Sequence, residues 1–467
     1  MFSCQLVAAI AVAALVCLPA VSAMANVRLP TLIGEGMVLQ RGSPVRLWGW
    51  ADEGEKVSVS FRGQSVSTTA TGGKWVVTLK PGKAGGPFAL TISGANRMEL
   101  KDVMVGDVWI CSGQSNMQWD LAQANAAAEI PKSTNPMIRL FSVPRVTARR
   151  AADDVASTWQ ACVPETAAHF SAVGYYFGRD LQKALKVPIG LIDSSWGGTS
   201  IEPWTSRSYL QSTTDLKDIV KRYREIGPAS QWPPGVLYNT MIAPLTRFPI
   251  KGVIWYQGES NAPRAEDYCQ LLPAMIRNWR ADWGVGDFPF LIVQLTAWSP
   301  PGYPNDTSWA GIREAQLFAS RTLPNVGLAV TIDVGDKDDV HPKNKEPVGR
   351  RLALAARGIA YREKVEYSGP MYKSMRAAGG TIILRFRHVG RGLTATGPTL
   401  KGFEIAGADG KFAPADAVIK GDTVVVSSQA VPTPVTVRYG WANYPDGNLA
   451  NKDGLPASPF RTGASAE

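Results

Sequence analysis

Between Val103 and Tyr361 the chain alternates short, almost wholly apolar runs with stretches of helical periodicity. Few architectures accommodate that pattern. Val-Pro-Ile-Gly-Leu-Ile-Asp at 187–193, Gly-Val-Ile-Trp-Tyr at 252–256, Phe-Pro-Phe-Leu-Ile-Val at 288–293 and Gly-Leu-Ala-Val-Thr-Ile at 327–332 lack polar alternation. They therefore read as parallel strands buried on both faces. Residues 267–279 and 311–321 read as helices between them, with Pro273 expected to kink the first. Buried strands alternating with helices imply an α/β fold, a three-layer doubly wound parallel sheet.

Both flanks have a different texture. From Val27 to Leu100, runs such as Lys-Val-Ser-Val-Ser-Phe and Lys-Trp-Val-Val-Thr-Leu alternate in polarity between Gly, Pro and Asp, which marks a small antiparallel β-domain over 26–102. Strands return after Tyr361, so 103–361 is the α/β domain and 362–467 a second β-region. At 467 residues several domains are expected. The apolar run from Leu6 to Val21, followed by Ala23 and Ala25, reads as a signal peptide over 1–25, although Lys and Arg are missing before it. An exported protein, periplasmic or secreted and free of the membrane after cleavage, is the expectation. Two segments rich in Gly and Pro, Ile226 to Gly235 and Ser299 to Thr307, have the length of loops that shape a site.

Composition narrows the chemistry. Beyond the leader stand Cys111, Cys162 and Cys269, an odd and scattered set that is no disulfide framework, although Cys162 and Cys269 are able to pair in an oxidising compartment. Three dispersed histidines, His169, His341 and His388, make no zinc site, and neither a metal nor a cofactor is implied. The net charge of +10 is spread along the chain without the contiguous basic run of a nucleic-acid surface, so no nucleic-acid partner is expected.

In a doubly wound sheet, ligands bind beyond the carboxyl ends of the strands. Four motifs fall there: Gly-Gln-Ser-Asn-Met at 113–117, Ser-Ser-Trp-Gly-Gly-Thr-Ser-Ile-Glu-Pro-Trp at 194–204, Trp-Tyr-Gln-Gly-Glu-Ser-Asn at 255–261 and Asp-Lys-Asp-Asp-Val-His at 336–341. A serine hydroxyl becomes a nucleophile when an imidazole takes its proton and an acid orients that imidazole. Ser115, His341 and a neighbouring Asp fill those roles. A tetrahedral oxyanion needs fixed donors, for which the Ser115 N–H, the Gly198 N–H and the Gln257 carboxamide are candidates.

Each residue also has a plainer explanation. Ser115 suits an N-cap, and His341 suits the cap of a helix following Lys345. The motif context and the scarcity of histidine favour catalysis. His169, before the amphipathic stretch from Phe170, and His388, in a late strand, read as structural. Glu202 and Glu259 as a glycosidase pair would leave the histidine idle. Trp196, Trp204, Trp255 and Trp298 suit sugar stacking, with about half of such a set expected in the core.

Taken in order, the four motifs, extended by Asp-Val-His-Pro-Lys-Asn-Lys and by Asn-Val-Arg-Leu-Pro-Thr-Leu and Asn-Lys-Asp-Gly-Leu-Pro near the two ends, resemble the sequence blocks of the sialate O-acetylesterase family of SGNH-type carbohydrate esterases. The resemblance spans nearly the whole mature chain. It implies an SGNH-like α/β core with flanking β-domains, an O-acetylated carbohydrate as substrate, no cofactor, Ser115 as nucleophile and His341 as base. By the SGNH pattern the acid is Asp338, three residues before the histidine, with Asp339 as the alternative and a Ser–His dyad as a third arrangement. Gln257 stands where the superfamily carries an Asn, and Asn261 follows four residues later. Acetylxylan or another plant glycan is the alternative substrate, and a non-catalytic sugar-binding protein the alternative class.

Overall fold

The computed structural model describes residues 26–222, 230–299 and 307–463. The expected leader lies outside them, as do residues 226–229 and 300–306 of the two long loops. No helix among the described residues is long and apolar enough to cross a membrane.

Seven strands build the core: β1 (Arg97–Gly113), β2 (Asn135–Ser142), β3 (Trp159–Cys162), β4 (Ile189–Ser195), β5 (Gly252–Tyr256), β6 (Phe290–Val293) and β7 (Val326–Ala329). They lie in the order β7-β6-β5-β1-β4-β2-β3, parallel throughout except for the antiparallel edge pair β2–β3. The order reverses direction around β1, the central strand, which creates the crevice where doubly wound sheets bind ligands.

Five helices matter here: α1 (Ser115–Gln118), α2 (Ala172–Leu185), α3 (Ala265–Trp283), α4 (Ser308–Thr322) and α5 (Glu346–Ile359). Side chains alternate across a strand, so the register separates the faces. Trp109 and Leu191 are register neighbours, and they pack on Phe177 and Gly178 of α2. Trp255 shares the opposite face with Val253 and Ile110, where it meets Trp279 of α3 edge-on at 5.8 Å. The layers thus follow from which residues alternate on each strand. The helix expected at 267–279 runs longer, and it continues as one element through Pro273.

Strand β1 is 17 residues long. Its first half pairs antiparallel with Gly85–Ser93 of the N-terminal β-region, and its second half pairs parallel with β4 and β5. It passes without a break through residue 102, where the sequence places a domain boundary. Gly113 ends it at φ +141°, and a Cβ there would lie 2.1 Å from the Tyr256 carbonyl oxygen. Only glycine lets the chain leave the sheet so close to β5. At the other end of the chain, Met371–Ala378, Thr381–Arg387, Asp416–Lys420 and Thr423–Ser427 form one four-stranded antiparallel sheet. Phe403–Ala406, Phe412–Pro414, Thr436–Tyr439 and Phe460–Arg461 form another.

Candidate active site

The turn after Gly113 starts α1 at Ser115, beyond the carboxyl end of the central strand. More than two hundred positions later, the loop after β7 carries His341 to the same place. The two side chains meet with Ser115 Oγ and His341 Nε2 2.8 Å apart, hydrogen-bonding distance for proton transfer between hydroxyl and imidazole. Trp119, one turn after Ser115, stacks on the imidazole with ring centroids 4.8 Å apart and planes 16° from parallel. Sequence reasoning missed Trp119. Its signal was the spacing of four from Ser115, which puts both residues on one side of a helical turn.

The acid departs from the expectation. Asp338 is exposed, and its backbone N–H donates to Asp336 Oδ1. Asp339 is the carboxylate near the histidine, with Oδ1 accepting the His341 backbone N–H at 2.8 Å and lying 3.9 Å from Nδ1. The tight turn of Asp-Asp-Val-His folds the residue two positions before His341 back over its backbone and leaves the one three positions before it in solvent. At 3.9 Å and with the Asp339 side chain 42% exposed, the ring contact has no hydrogen bond and becomes an ion pair only when the imidazole takes up a proton. Such a pair contributes about 1 kcal/mol or less. Asp339→Asn should therefore lower kcat/KM by no more than about tenfold, and Asp338→Asn should have a smaller effect. Side-by-side kinetics check this ordering, and a larger loss in Asp338→Asn reverses it.

Burial lowers the pKa of His341 below the usual value of 6.5, Lys345 lowers it further by charge repulsion, and Asp339 opposes both. An imidazole accepts a proton only in its neutral form, so with His341 as base the acid limb of the kcat/KM profile is expected below pH 6.5. Removing Lys345 relieves repulsion and should move the limb up. Removing the Asp339 charge should move it down. A pH profile of the three proteins tests both signs.

Beside the pair, Gly197 packs so closely that a Cβ on it would lie 3.2 Å from the Ser115 Cβ. Its N–H donates to Gln118 Oε1 at 2.6 Å. Gly198, next to it, is exposed with φ +69°. Gln257 is corrected as an oxyanion donor. It is fully buried, and its Nε2 donates to Asn261 Oδ1 at 2.8 Å and to the Thr199 carbonyl at 3.2 Å. Both amide protons are engaged in tying the third motif to the second. Asn261 takes part in the same tie, accepting from the Ile201 N–H and donating to Glu202 Oε2.

Beneath the Ser–His pair, the first, third and fourth motifs share a buried polar cluster. Asn116 donates to Glu259 Oε1 at 2.6 Å and to the Val340 carbonyl at 2.9 Å, while Lys345 Nζ donates to Asn116 Oδ1. Burial pushes the Lys345 ammonium down to about 7 and raises the Glu259 carboxyl. The ammonium also lies 5.7 Å from the ring centroids of Trp119 and Tyr256.

The remaining sequence candidates fall into place around this centre. Trp204 and Trp255 are fully buried and pack edge-on at 6.1 Å, so neither reaches a sugar. Trp298 packs on Trp309 at 4.8 Å, and Trp196 is partly buried. His169 lies 3.8 Å from Asp120, and His388 pairs with Glu366 at 2.9 Å. Cys162 and Cys269 are free thiols: Cys162 Sγ contacts the Ser133 carbonyl, whereas Cys269 lies on α3.

A doubly wound sheet that brings a serine hydroxyl and an imidazole into hydrogen bond at the carboxyl end of its central strand has the architecture of an α/β esterase. The profile of the family described as carbohydrate esterase, sialic acid-specific acetylesterase, matches residues 105–357. Sialate O-acetylesterase from Homo sapiens is 33% identical over 91% of this chain and 89% of its own length, and that from Mus musculus is 31% identical over 91% of each. The crystal structure of a carbohydrate acetylesterase from Xanthomonas citri, 42% identical, superposes with a TM-score of 0.87 over 94% of this chain and all of that one. The chain belongs to the sialic acid-specific acetylesterase family of carbohydrate esterases.

Proposed function

We propose that the protein is an exported serine esterase that removes O-acetyl groups from carbohydrate, sialic acid above all, through an acetyl-serine intermediate. The observation that carries this reading is the 2.8 Å contact between Ser115 Oγ and His341 Nε2. His341 takes the hydroxyl proton as Ser115 Oγ bonds to the acetyl carbonyl carbon. The resulting oxyanion is held by the N–H groups of Ser115 and Gly198. Collapse of the tetrahedral species breaks the bond to the sugar oxygen, and His341 returns the proton to that oxygen. A water, deprotonated by the same imidazole, attacks the acetyl carbonyl carbon, and collapse of the second tetrahedral species releases acetate and restores Ser115.

The substrate class rests on family membership and the polar surroundings of the pair. Acetate release from O-acetylated sialic acid, measured beside release from acetylated xylan, tests it. A higher kcat/KM on the sialic acid is expected, and preferential turnover of xylan reverses the assignment. Denaturing mass spectrometry of enzyme quenched during turnover should show Ser115 carrying one acetyl group. Turnover in which no acetylated protein accumulates, even with an activated aryl acetate, argues against the intermediate.

A further inference from the structure

Next to the Ser–His pair a polar pocket of about 350 Å³ opens between the carboxyl ends of β2 and β4 and the residues following α1. Gln118 lines it and holds Gly197 against Ser115 through the 2.6 Å bond described above. Arg145, also in the lining, donates through Nε to the Ser195 carbonyl at 3.1 Å. That bond anchors the guanidinium plane at the end of β4, and neither Nη has a partner among the described residues. The exposed Arg145 thus offers its two terminal nitrogens to the pocket as a preformed fork suited to a carboxylate.

Carboxyl groups complete the lining. Asp193, almost fully buried, receives the Ser195 hydroxyl on Oδ1 at 2.6 Å, and burial pushes its carboxyl up to about 7. Asp120, flanked by His169 and accepting from the Gln123 N–H at 2.9 Å, also lines the pocket. Arg145 and Asp193 interact by charge, and the lining as a whole offers two terminal guanidinium nitrogens as donors for one carboxylate, with carboxyl and carboxamide oxygens as acceptors for several hydroxyls.

We propose that this pocket is the sugar-acid subsite of the esterase, where Arg145 pairs with the substrate carboxylate, Asp120 and Asp193 bond to its hydroxyls, and an acetylated oxygen is presented to Ser115. The proposal rests on the esterase reading above and assigns the part of the chain that selects a charged sugar.

An O-acetylated sialic acid and its C1 methyl ester differ in that charge, and acetate release from both is the readout. In the wild type, kcat/KM should favour the free acid by about tenfold to a hundredfold, mainly through KM. Arg145→Gln should bring the ratio close to one, and Arg145→Lys, which keeps the charge without the fork, should fall between. A wild-type ratio near one, or a ratio that Arg145→Gln leaves in place, overturns the subsite, and the wild-type comparison needs no variant to fold. If neither compound is hydrolysed while acetylated xylan is, the sialic acid reading itself fails and takes the subsite with it.

Discussion

Ser115→Ala should lower kcat for acetyl-ester hydrolysis by about ten-thousandfold to a millionfold, the range over which serine hydrolases lose turnover when nucleophile or base is removed. The magnitude follows from the geometry. Oγ is the atom 2.8 Å from His341 Nε2, and the methyl of alanine neither attacks a carbonyl nor donates a proton. His341→Ala should cost a similar factor, because a serine hydroxyl without a base is a weak nucleophile. Two groups that act on one proton are not additive, so the double variant should be scarcely slower than either single one. Initial rates on 4-nitrophenyl acetate, read with a thermal melt of each variant, measure this. A folded Ser115→Ala protein within tenfold of the wild type means another group performs the chemistry. Multiplicative losses in the double variant mean that the two residues act on separate steps.

The core layout was legible because a parallel sheet sandwiched between helices needs strands apolar on both faces. Gly252–Tyr256 and Phe290–Val293 are such strands, with every residue buried. The second strand of the sheet, Asn135–Ser142, was not legible, since it contains Pro136 and carries Arg139 into the interior. That charge is tolerated because Asp102 lies 3.0 Å away, a partner no local pattern announces. At the site, Ser115 was legible from its motif directly after an apolar strand, and His341 because the sequence holds three histidines in all. The acid was not, since its identity depends on how one four-residue turn folds. Gln257 shows the same limit: an amide at a strand end has the right chemistry, but Thr199 and Asn261 occupy both its protons, and that emerges only once the loops meet.

The cluster beneath the site predicts the largest change in stability. Asn116 is its hinge, one amide whose oxygen accepts from the Lys345 ammonium and whose nitrogen donates to Glu259 and to the Val340 carbonyl. In Asn116→Leu the shape is roughly kept and all three contacts are lost, which strands a buried ammonium and a buried carboxylate whose Oε2 already has no partner among the described residues. Uncovering a buried charge costs about 3–5 kcal/mol. On a core of this size that corresponds to a drop in Tm of about 10 °C. Lys345→Met should lose less, because it removes one of the two charges along with the contact. It should also change the pH dependence of stability with a definite sign. The folded Lys345 titrates at about 7 and the unfolded lysine at 10.5, so between those values the unfolded chain holds the extra proton. Stability from this group therefore rises with pH across that window. The wild type should gain on Lys345→Met from about pH 7 upward, and Tm profiles of the two proteins that run parallel would mean that the lysine keeps its proton inside the fold.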